Sequence, residues 1–153
     1  MVRPSPIRRN NREAFTLIEI LVVITIITIL AGTVGVSLFH SLGKSRVKQA
    51  FLQAKNLKQA VQLYKTEQGR FPTQEQGLRA LVAPATTPPL PRSFPPNGYL
   101  DGPVLPKDPW DREYIYLVPG RRTESFEIIS YGADGEPGGE GEDADISSSD
   151  TQT

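Results

Sequence analysis

The chain has 153 residues, balances 17 basic against 17 acidic side chains, and contains one histidine and no cysteine. This composition excludes disulfides, thiolate metal sites and any catalytic or zinc site that needs a second histidine. The length predicts a single domain.

The first predicted element is an apolar segment at residues 15–40, which follows a leader at residues 1–14. Twenty uncharged helical residues from Ile20 to Phe39 would span about 30 Å, the thickness of the hydrocarbon core of a bilayer. Four arginines in the leader favour a cytoplasmic N-terminus and place the chain from about Ser41 in the periplasm. We therefore predict a single-pass helix in the inner membrane.

A lone carboxylate, Glu19, stands at the head of this run. A carboxylate carried toward the membrane centre costs up to ~2.5–3.5 kcal/mol, so we expect Glu19 to have a partner. The amino group that would appear if the chain were cut before Phe15 is a candidate. A plain signal anchor with an accidental glutamate is the alternative, whereas a secretory signal peptide would have a shorter apolar run and a later cleavage site.

The sequence Ala14-Phe15-Thr16-Leu17-Ile18-Glu19, between a basic leader and an apolar run, resembles the type IV prepilin signal. The resemblance implies that a prepilin peptidase cuts between Ala14 and Phe15 and that Phe15 is then N-methylated. It also implies that Glu19 acts in assembly, by neutralising the amino group of Phe15 on a neighbouring subunit. One position departs from the family, which usually has glycine where this chain has Ala14.

Apolar residues continue after the membrane segment at three- and four-residue steps, which is typical of an amphipathic helix. Gly69 and Pro72 predict its end. We therefore expect one helix from about Thr16 to Gln68, with residues 41–68 forming its periplasmic half.

Two glycines, Gly32 and Gly35, lie in the outer half of the membrane segment. One interpretation is that these small residues allow close helix packing in lipid. The alternative is that they allow the helix to melt locally when subunits assemble.

The remaining residues, 69–153, are predicted to form a globular head. Residues 84–119 hold ten of the fourteen prolines, which exclude a regular helix, but aromatic and leucine side chains in this segment favour a loop laid over the head. Two strands are predicted at Tyr114–Val118 and Phe126–Tyr131, joined as an antiparallel hairpin. These elements predict an α+β head.

Five sequence motifs follow one another in the head. They are Arg70-Phe71-Pro72-Thr73, Glu75-Gln76-Gly77-Leu78-Arg79-Ala80-Leu81, Asn97-Gly98-Tyr99-Leu100, Pro106-Lys107-Asp108-Pro109-Trp110 and Ser130-Tyr131-Gly132-Ala133-Asp134-Gly135. Together they resemble the major (G-type) pseudopilin of the type II secretion system, within the type IV pilin-like superfamily. The resemblance implies a pilin-like fold in which the long helix packs on a small antiparallel sheet and a calcium loop follows. The tail from Ser147 departs from the family because it lacks an aromatic ending.

The acidic loop, residues 132–145, concentrates six carboxylates among five glycines. One interpretation is a calcium site, because calcium takes six to eight oxygens from carboxylates and backbone carbonyls. The alternative is a disordered acidic end. The spacing is not that of an EF-hand. Similarity to the pseudopilin calcium loop favours structural calcium, with the predicted ligands Asp134, Asp145, Glu140, Asp143 and the carbonyl of Tyr131.

The resemblance predicts a non-enzymatic subunit of a homopolymeric periplasmic pseudopilus that assists protein export across the outer membrane. The implied partners are the prepilin peptidase, minor pseudopilins, the inner-membrane secretion platform and, before assembly, membrane lipid; no nucleic-acid partner is expected. Two alternatives stay open, a type IV pilin of an adhesion or DNA-uptake system and a signal-anchored periplasmic calcium-binding module.

Overall fold

The computed structural model describes the backbone of residues 15–151 and the side chains of residues 15–31 and 42–151. The predicted leader, residues 1–14, lies outside the described residues. Helix α1 spans Leu17–Gln68, 52 residues, in agreement with the helix expected from the sequence. By its internal contacts the chain divides into two units, residues 1–39 and residues 40–153.

In the first unit, the large apolar side chains of α1 that the structure describes, from Leu17 to Leu30, are exposed, with values that range from 46% for Val23 to 84% for Leu17. The hydroxyls of Thr25 and Thr28 each donate a 2.7 Å hydrogen bond to the carbonyl four residues earlier. Among the described residues, no helical stretch is both long and apolar enough to cross a membrane. Part of the predicted span, with Gly32 and Gly35, has side chains outside the described set.

In the second unit, three short strands form one antiparallel sheet in the order β1-β2-β3. Their bounds are Ile115–Leu117 for β1, Glu127–Ser130 for β2 and Ile146–Ser147 for β3. Tyr116 pairs with Ile128, which confirms the predicted hairpin within one residue at each strand end. Strand β3 was not predicted, and it returns the chain to β2 after the acidic loop.

The core of the head lies between the C-terminal half of α1 and the sheet. Each element contributes the apolar residues that its periodicity turns inward, so burial of this face is the main stabilising term. The core includes Ala54, Leu57, Val61 and Tyr64 from α1, Leu78 and Leu81 from a 3-10 turn, and Tyr114, Tyr116, Phe126 and Ile128 from the hairpin.

The Pro-rich segment is laid over the head, as the sequence predicted. Gln68, the last residue of α1, is 1% exposed, and its side-chain amide donates to the carbonyl of Ser93 at 2.6 Å and to the hydroxyl of Tyr99 at 2.8 Å. Gly98 has a φ of 72°, and a Cβ there would lie 2.7 Å from the carbonyl oxygen of Leu81. The close approach of the two backbones therefore requires glycine.

Candidate functional sites

The first candidate site is the start of α1. Phe15 precedes the helix and is 76% exposed. The backbone N–H of Glu19 donates to the hydroxyl of Thr16 at 3.3 Å and to the carbonyl of Thr16 at 3.1 Å. Thr16 and Glu19 have the spacing of a helix capping box, a signal that the sequence interpretation overlooked.

This geometry gives the carboxylate of Glu19 a role within a single chain, because a negative charge in the first turn of a helix interacts favourably with the helix dipole. The predicted role of Glu19 in assembly involves a neighbouring subunit and stays a prediction. The bond predicted to be cleaved joins Phe15 to Ala14, which lies outside the described residues, so cleavage stays a prediction.

The second candidate site is the acidic loop between β2 and β3, which folds into consecutive turns. The N–H of Gly135 donates to the carbonyl of Tyr131 at 3.0 Å, and the N–H of Ala133 donates to the carbonyl of Glu142 at 2.9 Å. A Cβ on Gly132, whose φ is 60°, would lie 2.5 Å from the Glu142 carbonyl oxygen. The two limbs of the loop therefore approach each other through backbone atoms.

The five predicted calcium ligands are placed as follows. The Asp134 carboxylate accepts the N–H of Glu136 at 3.0 Å, in the same turn as the Tyr131 carbonyl. Asp145, at the end of the loop, accepts the N–H of Gly138 at 2.8 Å.

The other two, Glu140 and Asp143, are exposed and lie in one turn, where the N–H of Asp143 donates to the carbonyl of Glu140 at 3.2 Å. Within the described part of the chain, no three acidic, histidine or cysteine side chains converge as a metal cluster. The donors fit calcium in kind, because carboxylates and backbone carbonyls are the oxygens that this ion takes.

One arginine outside the loop binds its last acidic residue. The guanidinium of Arg121 donates from Nη1 to Asp145 Oδ2 at 2.7 Å, and from Nε and Nη2 to the two carboxylate oxygens of Glu127 at 3.2 and 3.1 Å. Hydrogen bonds to Glu127 and then to Asp145 raise the pKa of Arg121 above its usual value. Arg121 therefore joins the start of β2 to the end of the acidic loop as a permanent cation.

Glu127 is 3% exposed, and its ionisation depends on this partner. Burial alone would raise its pKa, but hydrogen bonds from Arg121 and from the hydroxyl of Ser147, which lies 2.7 Å away, outweigh burial and lower the pKa to about 2. Glu127 is therefore a buried carboxylate that stays ionised at neutral pH.

Two further arginines contact the acidic loop. Arg112 donates from Nη1 to the carbonyl of Gly132 at 2.8 Å, and Arg46 on α1 lies 4.0 Å from the carboxylate of Glu142. Arg112 is positioned by Asp108, a buried residue whose carboxylate accepts the Arg112 backbone N–H at 2.9 Å. Arg121 and Arg46 thus place positive charge beside acidic side chains of the loop, and Arg112 binds the backbone of the loop.

The sequence interpretation did not single out these arginines as site residues. The contacts join residues that lie between 6 and 96 positions apart in the chain, and neither periodicity nor motif spacing marks such pairs. The sequence did offer one indication: a loop of like charges needs positive partners, and these arginines had no other predicted role.

Comparison with known proteins decides the family. The family model described as type II secretion system (T2SS), protein G matches residues 37–149, which is most of the chain. The chain belongs to the type II secretion system protein G family. A second model, the prokaryotic N-terminal methylation motif, matches residues 9–35 and so includes the predicted cleavage position and Glu19.

Relatives of the protein G family align over most of this chain. The type II secretion system core protein G of Dickeya chrysanthemi is 42% identical over 128 residues, which cover 84% of this chain and 82% of that protein. The protein of the same name from Vibrio cholerae is 39% identical over 139 residues, which cover 91% of this chain and 92% of that protein.

The fold has a solved counterpart. The crystal structure of the major pseudopilin from the type 2 secretion system of enterohaemorrhagic Escherichia coli matches with a TM-score of 0.60 and 36% sequence identity. The match covers 70% of this chain and 85% of that chain. The recognised family and the α+β fold, with a long helix on a small antiparallel sheet, are therefore confirmed.

Proposed function

We propose that this protein is a structural subunit of the periplasmic pseudopilus of a type II secretion system and assists protein export across the outer membrane. The observation that carries the proposal is the match of one chain to both the protein G family and the N-terminal methylation motif. The subunit acts without catalysis. The two alternatives, an adhesion or DNA-uptake pilin and a calcium-binding module, are not favoured by a protein G match that spans nearly the whole head.

The proposed life cycle begins in the inner membrane, with residues 15–40 as the membrane segment and the N-terminus in the cytoplasm. Prepilin peptidase cuts between Ala14 and Phe15 and the new terminus is methylated. The mature subunit then polymerises with copies of itself, together with minor pseudopilins and the inner-membrane platform. Head-to-tail contacts use different surfaces on successive subunits and so produce an open helical filament. Support for this sequence of events comes from the methylation motif at residues 9–35.

We further propose that the acidic loop binds structural calcium through oxygens of Tyr131, Asp134, Glu140, Asp143 and Asp145. The support is chemical: the loop supplies carboxylates and turn carbonyls, and a bound cation would offset the repulsion between its acidic side chains. The role of calcium in this proposal is to order the loop that connects β2 and β3.

A secretion assay tests the proposed function. The gene is deleted from its native strain, and the proteins released into the medium are compared with those of the strain complemented by the wild-type chain. We expect deletion to leave the exported proteins in the periplasm and complementation to restore their release. Unchanged secretion in the deletion strain, with no other protein G copy in the genome, would contradict the proposal.

A further inference from the structure

The carboxylate of Asp145, a proposed calcium ligand, already has a partner on each oxygen. Oδ1 accepts the Gly138 N–H at 2.8 Å, and Oδ2 accepts Arg121 Nη1 at 2.7 Å. A carboxylate oxygen that accepts a charge-assisted hydrogen bond is less available to a second cation, and two cations close to each other repel.

Arg121 makes more hydrogen bonds to Glu127 than to Asp145. It contacts Glu127 through Nε, Nη2 and its own backbone N–H, but it contacts Asp145 through Nη1 alone. The Glu127 side chain is 5% exposed, whereas those of Asp145 and Arg121 are 20% and 40% exposed. The guanidinium can therefore release Asp145 toward solvent and remain attached to Glu127.

We propose that Arg121 is an internal counter-cation for Asp145, which holds the end of the acidic loop in the cation-free protein and competes with a divalent cation for that carboxylate. The inference rests on the proposed binding of calcium. Binding at Asp145 exchanges the Arg121 contact for a metal–oxygen contact, and Glu127 keeps the guanidinium close enough to return when the ion leaves. Arg121 therefore weakens calcium binding and stabilises the calcium-free loop.

The chain offers a matched control in the next residue. Arg122 is exposed, and no hydrogen bond or ion pair joins its side chain to the described residues. Arg121→Gln and Arg122→Gln each remove one positive charge from the same turn, so any difference between them reports on the contact rather than on net charge.

The experiment titrates calcium chloride into the full-length protein in detergent micelles, by calorimetry at fixed ionic strength, and measures thermal unfolding without calcium. We expect Arg121→Gln to bind calcium about fivefold more tightly than the wild type, the factor expected from a partly exposed ion pair, and to unfold at a lower temperature without calcium. Arg122→Gln is expected to match the wild type in both measurements. Arg121→Lys keeps the charge but loses the fork geometry of the guanidinium, so we expect it to bind calcium more tightly than the wild type but by less than fivefold. This variant carries the test if Arg121→Gln does not fold.

The outcomes separate the two proposals. Calcium binding in the wild type with equal or weaker affinity in Arg121→Gln would overturn the role of Arg121 and leave the calcium site standing. Absence of calcium binding in the wild type and in both Arg121 variants would overturn the calcium site and this inference together. The pseudopilus function would remain, because the secretion assay tests it separately.

Discussion

The hydroxyl of Tyr114, at the end of the Pro-rich segment, donates a 3.1 Å hydrogen bond to the backbone carbonyl of Ala50 in the middle of α1. Both residues are buried, and burial raises the pKa of Tyr114, so the hydroxyl remains a donor at any physiological pH. This contact connects the helix to the segment that leads into the hairpin, across 64 positions of the chain. A second buried tyrosine, Tyr64, has a hydroxyl with no hydrogen-bond partner among the described residues.

The same substitution, tyrosine to phenylalanine, should affect stability differently at these two positions. Tyr114→Phe should lower the free energy of unfolding by about 1 kcal/mol or more, because it leaves the Ala50 carbonyl without this buried donor. Tyr64→Phe should leave stability unchanged or raise it, because it removes a buried polar atom that makes no hydrogen bond. Urea unfolding of the full-length protein in detergent measures both. Equal effects of the two variants would contradict the contact.

The ion pair of Glu127 predicts an acid-sensitive head. Its pKa falls from 4.5 to about 2 on folding, so its contribution to stability is fully present above pH 4.5 and is lost as the pH falls toward 2. The loss is up to about 3 kcal/mol, reduced by the exposure of Arg121. Unfolding measured between pH 2 and 6 should be less pH-dependent in Glu127→Gln than in the wild type. An identical slope in both proteins would show that Glu127 does not carry this dependence.

The sequence predicted the elements whose signals are local, and the structure agrees with α1, the hairpin and the Pro-rich loop. Strand β3 lacked such a signal, because Ser147 and its neighbour Ser148 are buried polar residues. Long-range partners compensate for this burial: the Ser147 hydroxyl donates to Glu127, and the Ser148 hydroxyl accepts the N–H of Ile128 at 3.1 Å. The Arg121 contacts escaped prediction for the same reason, since they depend on which turns the folded chain brings together.

Calcium binding predicts a stabilised head. A ligand at a hundredfold excess over its dissociation constant adds about 2.7 kcal/mol to the free energy of unfolding. The protein in detergent should therefore melt at a higher temperature with calcium than with chelator, and magnesium should substitute poorly because it demands smaller, octahedral geometry.

The calcium test has a matched pair of variants within the loop. Asp134→Ala should lose most of the calcium-dependent rise in melting temperature, since it removes both oxygens of a predicted ligand. Glu136→Ala removes the same charge from an exposed residue outside the predicted ligand set and should keep the rise. If both variants lost the calcium-dependent rise in melting temperature equally, the loop would attract cations through its overall negative charge and not through a specific site.

The carboxylate of Glu19 predicts a defect specific to assembly. Glu19→Ala keeps the backbone N–H that bonds to Thr16, so the start of α1 should be preserved. We expect normal cleavage and membrane insertion but strongly reduced filament yield, because the neighbouring amino terminus loses its counter-charge. Glu75→Ala, at an exposed carboxylate of the head, is the control. Wild-type filament yield from Glu19→Ala would argue against the pairing.

The most direct test of the pseudopilus account is the mass of the subunit in an assembled filament. The chain is overproduced in its native secretion-competent strain, filaments are sheared and purified, and the subunit mass is measured intact and after proteolysis. The account predicts that the subunit in these filaments begins with N-methylated Phe15. In a strain without the peptidase, the account predicts that only the unprocessed chain is found. Filaments that lack this chain, or that contain it with Met1 still in place, would contradict the account.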